Sequence, residues 1–219
     1  MYLFPKVKFC GLSNYDDVAL ACEQQAYWAG FIFVKGSSRY IKIEKSKSII
    51  SLFKKKIKFV GVFVNPSNDN IKMAIKAGID NIQLHGQETP KRCKEIKNIF
   101  NIPIIKAIPI SKELDLKVVE DYSGSCDYFL FDTKNENKNG YNGGTGKVFD
   151  WNIIKNNKLW LNKQKPWILS GGLNAQNIEE AIKFTGTKAV DVSSGIEYNP
   201  GIKSKKLMQL FVQKIKNIK

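Results

Sequence analysis

A closed (β/α)8 barrel is the fold class this sequence predicts, and three observations carry it. Eight short runs rich in β-branched and aromatic residues recur along the chain at near-regular spacing. Stretches with helical periodicity lie between them and after the last. The runs themselves are close to continuously apolar, the pattern of strands buried on both faces of a parallel sheet. Eight such units with no obvious linker favour a closed barrel over a doubly wound open sheet. The 219 residues can bury one large core, so residues 1–219 are expected to form a single domain.

The elements follow in order. VKF (7–9) is the first strand, and Asn14 or Ser13 opens a helix over Asp16–Ala29. FIFV (31–34) leads to Lys45–Lys54, and KFVGVFV (58–64) to Asn68–Ala77, with Ser67 as the start signal. NIQLH (81–85) precedes Pro90–Phe100, and IIKAI (104–108) precedes Glu113–Tyr122. YFLF (128–131) is followed by the low-complexity KNENKNGYNGG (134–144), read as a mobile loop over the active-site face, and then by Trp151–Asn156. WILS (167–170) leads past Asn174 into Ala175–Phe184, and AVDV (189–192) is followed by a last helix over Lys203–Ile218.

Composition excludes several classes. The longest apolar runs are about five residues, far below the roughly 20 that span a bilayer. The N-terminus MYLFPKVKF has no hydrophobic signal core, so a cytoplasmic protein without membrane association is expected. Cys10, Cys22, Cys93 and Cys126 are scattered with no CxxC, and His85 is the sole histidine. Neither a disulfide framework nor a metal site is suggested. The net charge of +15 is nearly all lysine, with Arg39 and Arg92 the only arginines, and it is spread along the chain. Nucleic-acid recognition favours arginine's fork, so no nucleic-acid partner is expected. A positive field would still draw in an anionic small substrate.

Chemistry in a barrel gathers at the carboxyl ends of the strands. Those ends carry Cys10, then SSRY with Arg39, Asn65, Gln83 and His85, and Asp132. The seventh strand runs into SGGL (170–173), with Gly171 and Gly172. The eighth runs through Asp191 into Ser193, Ser194 and Gly195. These last two small-residue turns precede helical segments, where free backbone N–H groups can hold a phosphate. Phosphate on the loops after strands seven and eight is a recurring barrel arrangement.

At this point the residues carry a resemblance. KFCGLS, SSRYI, VGVFVN, IQLHGQE, FDTK with GGTGKVFDW, ILSGGL and VDVSSGIEYNPG resemble, in order and spacing, the signatures of the phosphoribosylanthranilate isomerase family of tryptophan biosynthesis. The likeness runs from Lys8 to Gly201. Departures are small: Ser38 stands where proline is usual, Ser170 where alanine is common, and Ser204 where an acid often follows.

The resemblance implies an Amadori rearrangement of a small phosphosugar, with no cofactor, in a monomer or homodimer. By similarity Asp132 is the acid that opens the furanose ring, and Cys10 is the base that takes the proton from the second ribose carbon. Arg39 is the clamp for the anthranilate carboxylate. Gln83, His85, Gly144 and Asp191 complete the substrate site. Cationic neighbours or a helix N-terminus would lower the Cys10 thiol from its free value of about 8.5, and an acid must be protonated before it can donate.

Each reading has a bland rival. Cys10 could be a small buried hydrophobe, Asp132 a loop residue, Arg39 a surface ion pair, His85 a hydrogen-bonded structural residue and GGTG a flexible turn. Two other phosphosugar barrels fit less well. An indole-glycerol-phosphate synthase would want a catalytic lysine set and an extra N-terminal segment, and a ribulose-phosphate epimerase would want histidines and a metal. A non-catalytic phosphate-binding barrel would have been favoured by loss of Cys10 or Asp132, and both are present.

Overall fold

The computed structural model describes residues 4–134 and 146–218. Eight parallel strands close in sequence order, β1 to β8, into a barrel. They are β1 (Lys6–Cys10), β2 (Trp28–Ile32), β3 (Lys58–Phe63), β4 (Asn81–Leu84), β5 (Ile104–Ile110), β6 (Tyr128–Thr133), β7 (Trp167–Leu169) and β8 (Ala189–Val192). The helices between and after them are α1 (Tyr15–Glu23), α2 (Ile43–Phe53), α3 (Asn68–Ala77), α4 (Pro90–Phe100), α5 (Val119–Tyr122), α6 (Asn152–Gln164), α7 (Ile178–Thr185) and α8 (Lys205–Lys216).

Boundaries differ from the sequence reading where turn residues are missing. The helix expected over Asp16–Ala29 stops at Glu23, because Gln25 takes a positive φ of 59° and turns the chain into β2, three residues before FIFV. The segment from Glu113 is mostly a 3-10 helix, with only Val119–Tyr122 fully α-helical. By contrast α6 runs on to Gln164, since Leu161 continues the buried face begun by Ile153 and Ile154. A hairpin of β9 (Glu197–Asn199) and β10 (Ile202–Lys203) precedes α8 and was not foreseen.

The caps are local chemistry. Asn14 accepts from the Asp17 N–H at 2.9 Å and Ser67 from that of Asn70, satisfying amides that the first helical turn leaves unpaired. Asn174 instead closes a turn, accepting from the N–H groups of Gln176 and Asn177 ahead of α7. Ser204, the departure noted above, caps α8 by accepting from Leu207.

Strand alternation divides the core in two. Phe9, Phe31, Phe59, Phe129 and Val190 pack outward in the layer shared with the helices, where Phe9 meets Phe211 of α8 with ring centroids 6.3 Å apart. Trp28, Val60, Val62, Ile105, Leu130 and Ile168 form a separate inner cluster that also includes Cys10. The loop after β4 is pinned by a buried ion pair. Lys106 Nζ donates to Glu88 Oε2 at 2.8 Å and to the Gly86 carbonyl at 2.7 Å, while Glu88 accepts from the Asn65 and Gly86 N–H groups. Among the described residues no helix is long and apolar enough to cross a membrane. All four cysteines are free thiols.

Candidate active site

A cavity of about 280 Å³ opens at the carboxyl end of the barrel, lined from the end of every strand except β5. The two-residue strand period explains its membership. Cys10 stands one step above Lys8 on the same face of β1, Asp132 above Leu130, and Asp191 above Ala189. The lower residues fill the barrel and the upper ones face the opening.

Of the residues singled out from the sequence, Cys10, Arg39, His85, Asp132, Gly171, Gly172, Asp191, Ser193 and Ser194 line this cavity together. Gln83 does not. It is 1% exposed, one step below His85, and its Nε2 lies 2.8 Å from the imidazole Nδ1. It holds the ring from beneath. Gly195 does not line the cavity either: a Cβ there would run into the Leu173 carbonyl and press on Asn174, so its bareness lets the β8 loop pack on the β7 loop. Gly144 lies outside the described residues, as does nearly all of the KNENKNGYNGG stretch.

His85 is bracketed on its other side by Asp132, whose Oδ2 lies 3.3 Å from Nε2. Asp132 Oδ1 accepts from the Thr133 N–H at 2.8 Å, and the Thr133 hydroxyl donates to the Lys147 carbonyl. Gly172 meets the same stretch of chain. Its φ is 63°, and an added Cβ would lie 2.5 Å from the Lys147 oxygen. Only a residue without a side chain lets the β6 and β7 loops approach this closely.

Arg39 is fixed at both ends. Its stem crosses Gly11, where a Cβ would lie 2.7 Å from Arg39 Cδ. Its Nε and Nη2 each donate to a separate oxygen of Glu197 at 2.7 Å, leaving three of the five guanidinium N–H donors for another anion. Glu197 also accepts from Lys203 Nζ at 2.7 Å, and that ammonium donates to the Ser193 carbonyl at 3.1 Å. Burial works to raise the Glu197 carboxyl, but the hydrogen bonds and charges of Arg39 and Lys203 outweigh it and hold it below the usual range. Burial lowers Lys203 despite Glu197.

The Cys10 thiol departs from expectation. Cationic neighbours are present, but burial dominates and pushes the thiol above its ordinary value. Lys8 and Lys203 pull it down, and Asp191 adds to the rise. Lys8, Glu197 and Lys203 were not singled out from the sequence. Lys8 had a signal, a charge in an otherwise apolar strand two residues before the cysteine. Glu197 had none, since its partner Arg39 is 158 residues away. Among the described residues no group of three metal-ligating side chains comes together.

Comparison with known proteins gives a family match over nearly the whole chain. A family model described as N-(5'phosphoribosyl)anthranilate (PRA) isomerase matches residues 7–214. The N-(5'-phosphoribosyl)anthranilate isomerase of a Thermoanaerobacter species is 41% identical over 215 residues, covering 98% of this chain and 99% of the relative. The crystal structure of phosphoribosyl anthranilate isomerase from Thermotoga maritima superposes with a TM-score of 0.86 at 35% identity, covering 97% of this chain and 98% of the other. A structure of such an isomerase in complex with reduced 1-(o-carboxyphenylamino)-1-deoxyribulose 5-phosphate superposes at 0.82 with 31% identity, over 97% and 98% of the two chains.

Proposed function

The chain belongs to the phosphoribosylanthranilate isomerase family and catalyses that isomerisation in tryptophan biosynthesis, and from this premise we propose that Cys10 and Asp132 divide its two proton transfers. The observation that supports the division is their common cavity: Cys10 at the end of β1 and Asp132 on β6 open into one space that also holds Arg39 and the small-residue loops after β7 and β8.

In this reading Asp132 protonates the furanose oxygen of N-(5-phosphoribosyl)anthranilate. The ring carbon–oxygen bond breaks, and the nitrogen lone pair forms the iminium. Cys10, as thiolate, takes the hydrogen on the second ribose carbon, and the electron pair of that bond returns towards nitrogen. The resulting enamine tautomerises to the ketose 1-(2-carboxyphenylamino)-1-deoxyribulose 5-phosphate. Arg39 receives the anthranilate carboxylate with donors that Glu197 leaves open. Backbone N–H groups around Gly171, Gly172, Ser193 and Ser194 hold the phosphate, with Lys203 behind Ser193.

His85, held by Gln83, stands beside the Asp132 carboxyl with Nε2 3.3 Å from Oδ2. We place the enzyme in the cytoplasm, acting on a small phosphosugar as a monomer or homodimer. The test is to generate phosphoribosylanthranilate in situ and follow the decay of its fluorescence with purified protein. Decay that depends on enzyme and is lost in both Cys10→Ala and Asp132→Asn supports the assignment. Full activity of either variant refutes its role.

A further inference from the structure

Lys8 is fully buried inside the barrel, one strand step beneath Cys10. The β1–β8 register sets it opposite Asp191, and its Nζ donates to Asp191 Oδ1 at 2.8 Å. The Ser170 hydroxyl donates to the other Asp191 oxygen at 3.3 Å. On the β2 side, the residue opposite Cys10 is Gly30. A Cβ on Gly30 would stand 3.1 Å from Cys10 Sγ and 3.2 Å from Lys8 Nζ. Thiol and ammonium therefore border the same gap, which exists because this position carries no side chain.

We propose that Lys8 is a positioning residue for the isomerisation: its buried ammonium is the counter-charge that lets Cys10 exist as a thiolate beside the substrate. The proposal rests on Cys10 being the base. The thiol first gives its proton to solvent through the cavity. The thiolate then forms an S–H bond with the hydrogen of the second ribose carbon, and the C–H electron pair becomes the enamine double bond as the iminium nitrogen recovers its lone pair. Lys8 keeps its proton throughout.

Other charges face this thiol. Asp191 of β8 opposes ionisation, and Lys203 of β10 favours it. Arg39 lies on the loop after β2, with His85 and Asp132 on the far side of the cavity. Lys8 is the strongest of the groups that favour the thiolate, and it is itself raised above its ordinary value because Asp191 and Cys10 outweigh its burial. An ammonium this deep is expensive to bury. A role confined to packing would be met as well by an apolar side chain.

The test is the pH dependence of iodoacetamide alkylation at Cys10. It is followed on the Cys10 peptide by mass spectrometry, so that Cys22, Cys93 and Cys126 do not contribute. In Lys8→Met the midpoint should rise by about one pH unit or more, the scale set by losing a close opposite charge. The basic group seen in kcat/KM should move with it, with little change in KM. In Asp191→Asn, which removes a charge that opposes the thiolate and leaves the ammonium unshared, the midpoint should fall, and adding Lys8→Met to it should raise the midpoint again. An unmoved midpoint in folded Lys8→Met overturns the proposal. If that variant does not fold, Lys8→Met combined with Asp191→Asn removes the pair together, and a midpoint equal to that of Asp191→Asn alone overturns the proposal instead. Alkylation reports the thiol whether or not it is the base, and turnover of Cys10→Ala tests the base itself, so the two failures are distinguishable.

Discussion

Arg39 and Glu197 meet in a two-point ion pair, Nε and Nη2 each 2.7 Å from its own carboxylate oxygen. The pair joins the loop after β2 to the hairpin after β8, and Lys203 extends it to the carbonyl of Ser193. The group assigned to the substrate carboxylate is thus tied to the loop assigned to its phosphate, and a change at one is felt at the other.

Arg39→Met should weaken productive binding by about 2 to 4 kcal/mol, the scale of losing a charge-assisted partner in a closed site. Glu197→Gln keeps the shape but loses the countercharge, and should give a smaller loss of the same kind, seen in KM more than kcat. Steady-state kinetics decide both. Unchanged constants in Arg39→Met would overturn its role as the carboxylate clamp.

The same carboxylate predicts a pH effect. Glu197 is held below its ordinary value of about 4.3, so it stabilises the fold fully above that value. The contribution is lost as pH falls through the lower folded value. Melting temperature measured from pH 6 to pH 3 should therefore fall less steeply in Glu197→Gln than in the parent.

Cys10→Ala and Cys10→Ser should each lose about 10² to 10⁴ in turnover, the usual worth of a general base. Asp132→Asn should lose as much or more, because the amide cannot protonate the leaving ring oxygen. Neither residue is assigned to an anion, so all three variants should still bind a reduced product analogue by calorimetry.

Gly172→Val should raise KM strongly. The valine would need the left-handed backbone and would press on the Lys147 carbonyl, moving the loop assigned to the phosphate. Inorganic phosphate should inhibit the parent competitively and this variant far less. Equal inhibition of both would move the phosphate elsewhere.

Lys106→Met should be a stability mutation. It leaves Glu88 buried without its cation, a loss of roughly 3 to 5 kcal/mol, and the melting temperature should drop by at least about 6 °C for a chain of this size. Lys106→Met combined with Glu88→Gln should recover part of the drop.

The barrel was legible because its signals are local and repeated: apolar runs, helical periods and a few caps such as Asn14 and Ser67. What lay hidden was of two kinds. The end of α1 at Glu23 depends on a positive φ at Gln25, a residue type that announces no turn. The supports of the site depend on pairings across the closed sheet. Lys8 with Asp191, and Arg39 with Glu197, are distant in sequence and adjacent only once β8 returns to β1. Strand ends supplied Cys10, His85 and Asp132 directly. Gln83 and Gly195 were picked out with them, but each supports a neighbour of the cavity instead of lining it.

Lys8, Lys106 and Lys203 are the buried lysines among the described residues, each against its own carboxylate, Asp191, Glu88 and Glu197. This draws a boundary through the chain's lysine excess. On the outer surface one cation serves as well as another, and arginine can replace lysine there with little consequence. The three interior positions cannot follow, since a planar guanidinium has neither the size nor the hydrogen-bond geometry of the ammonium it would displace. In a lineage whose base composition shifts, these three should be the last lysines to change.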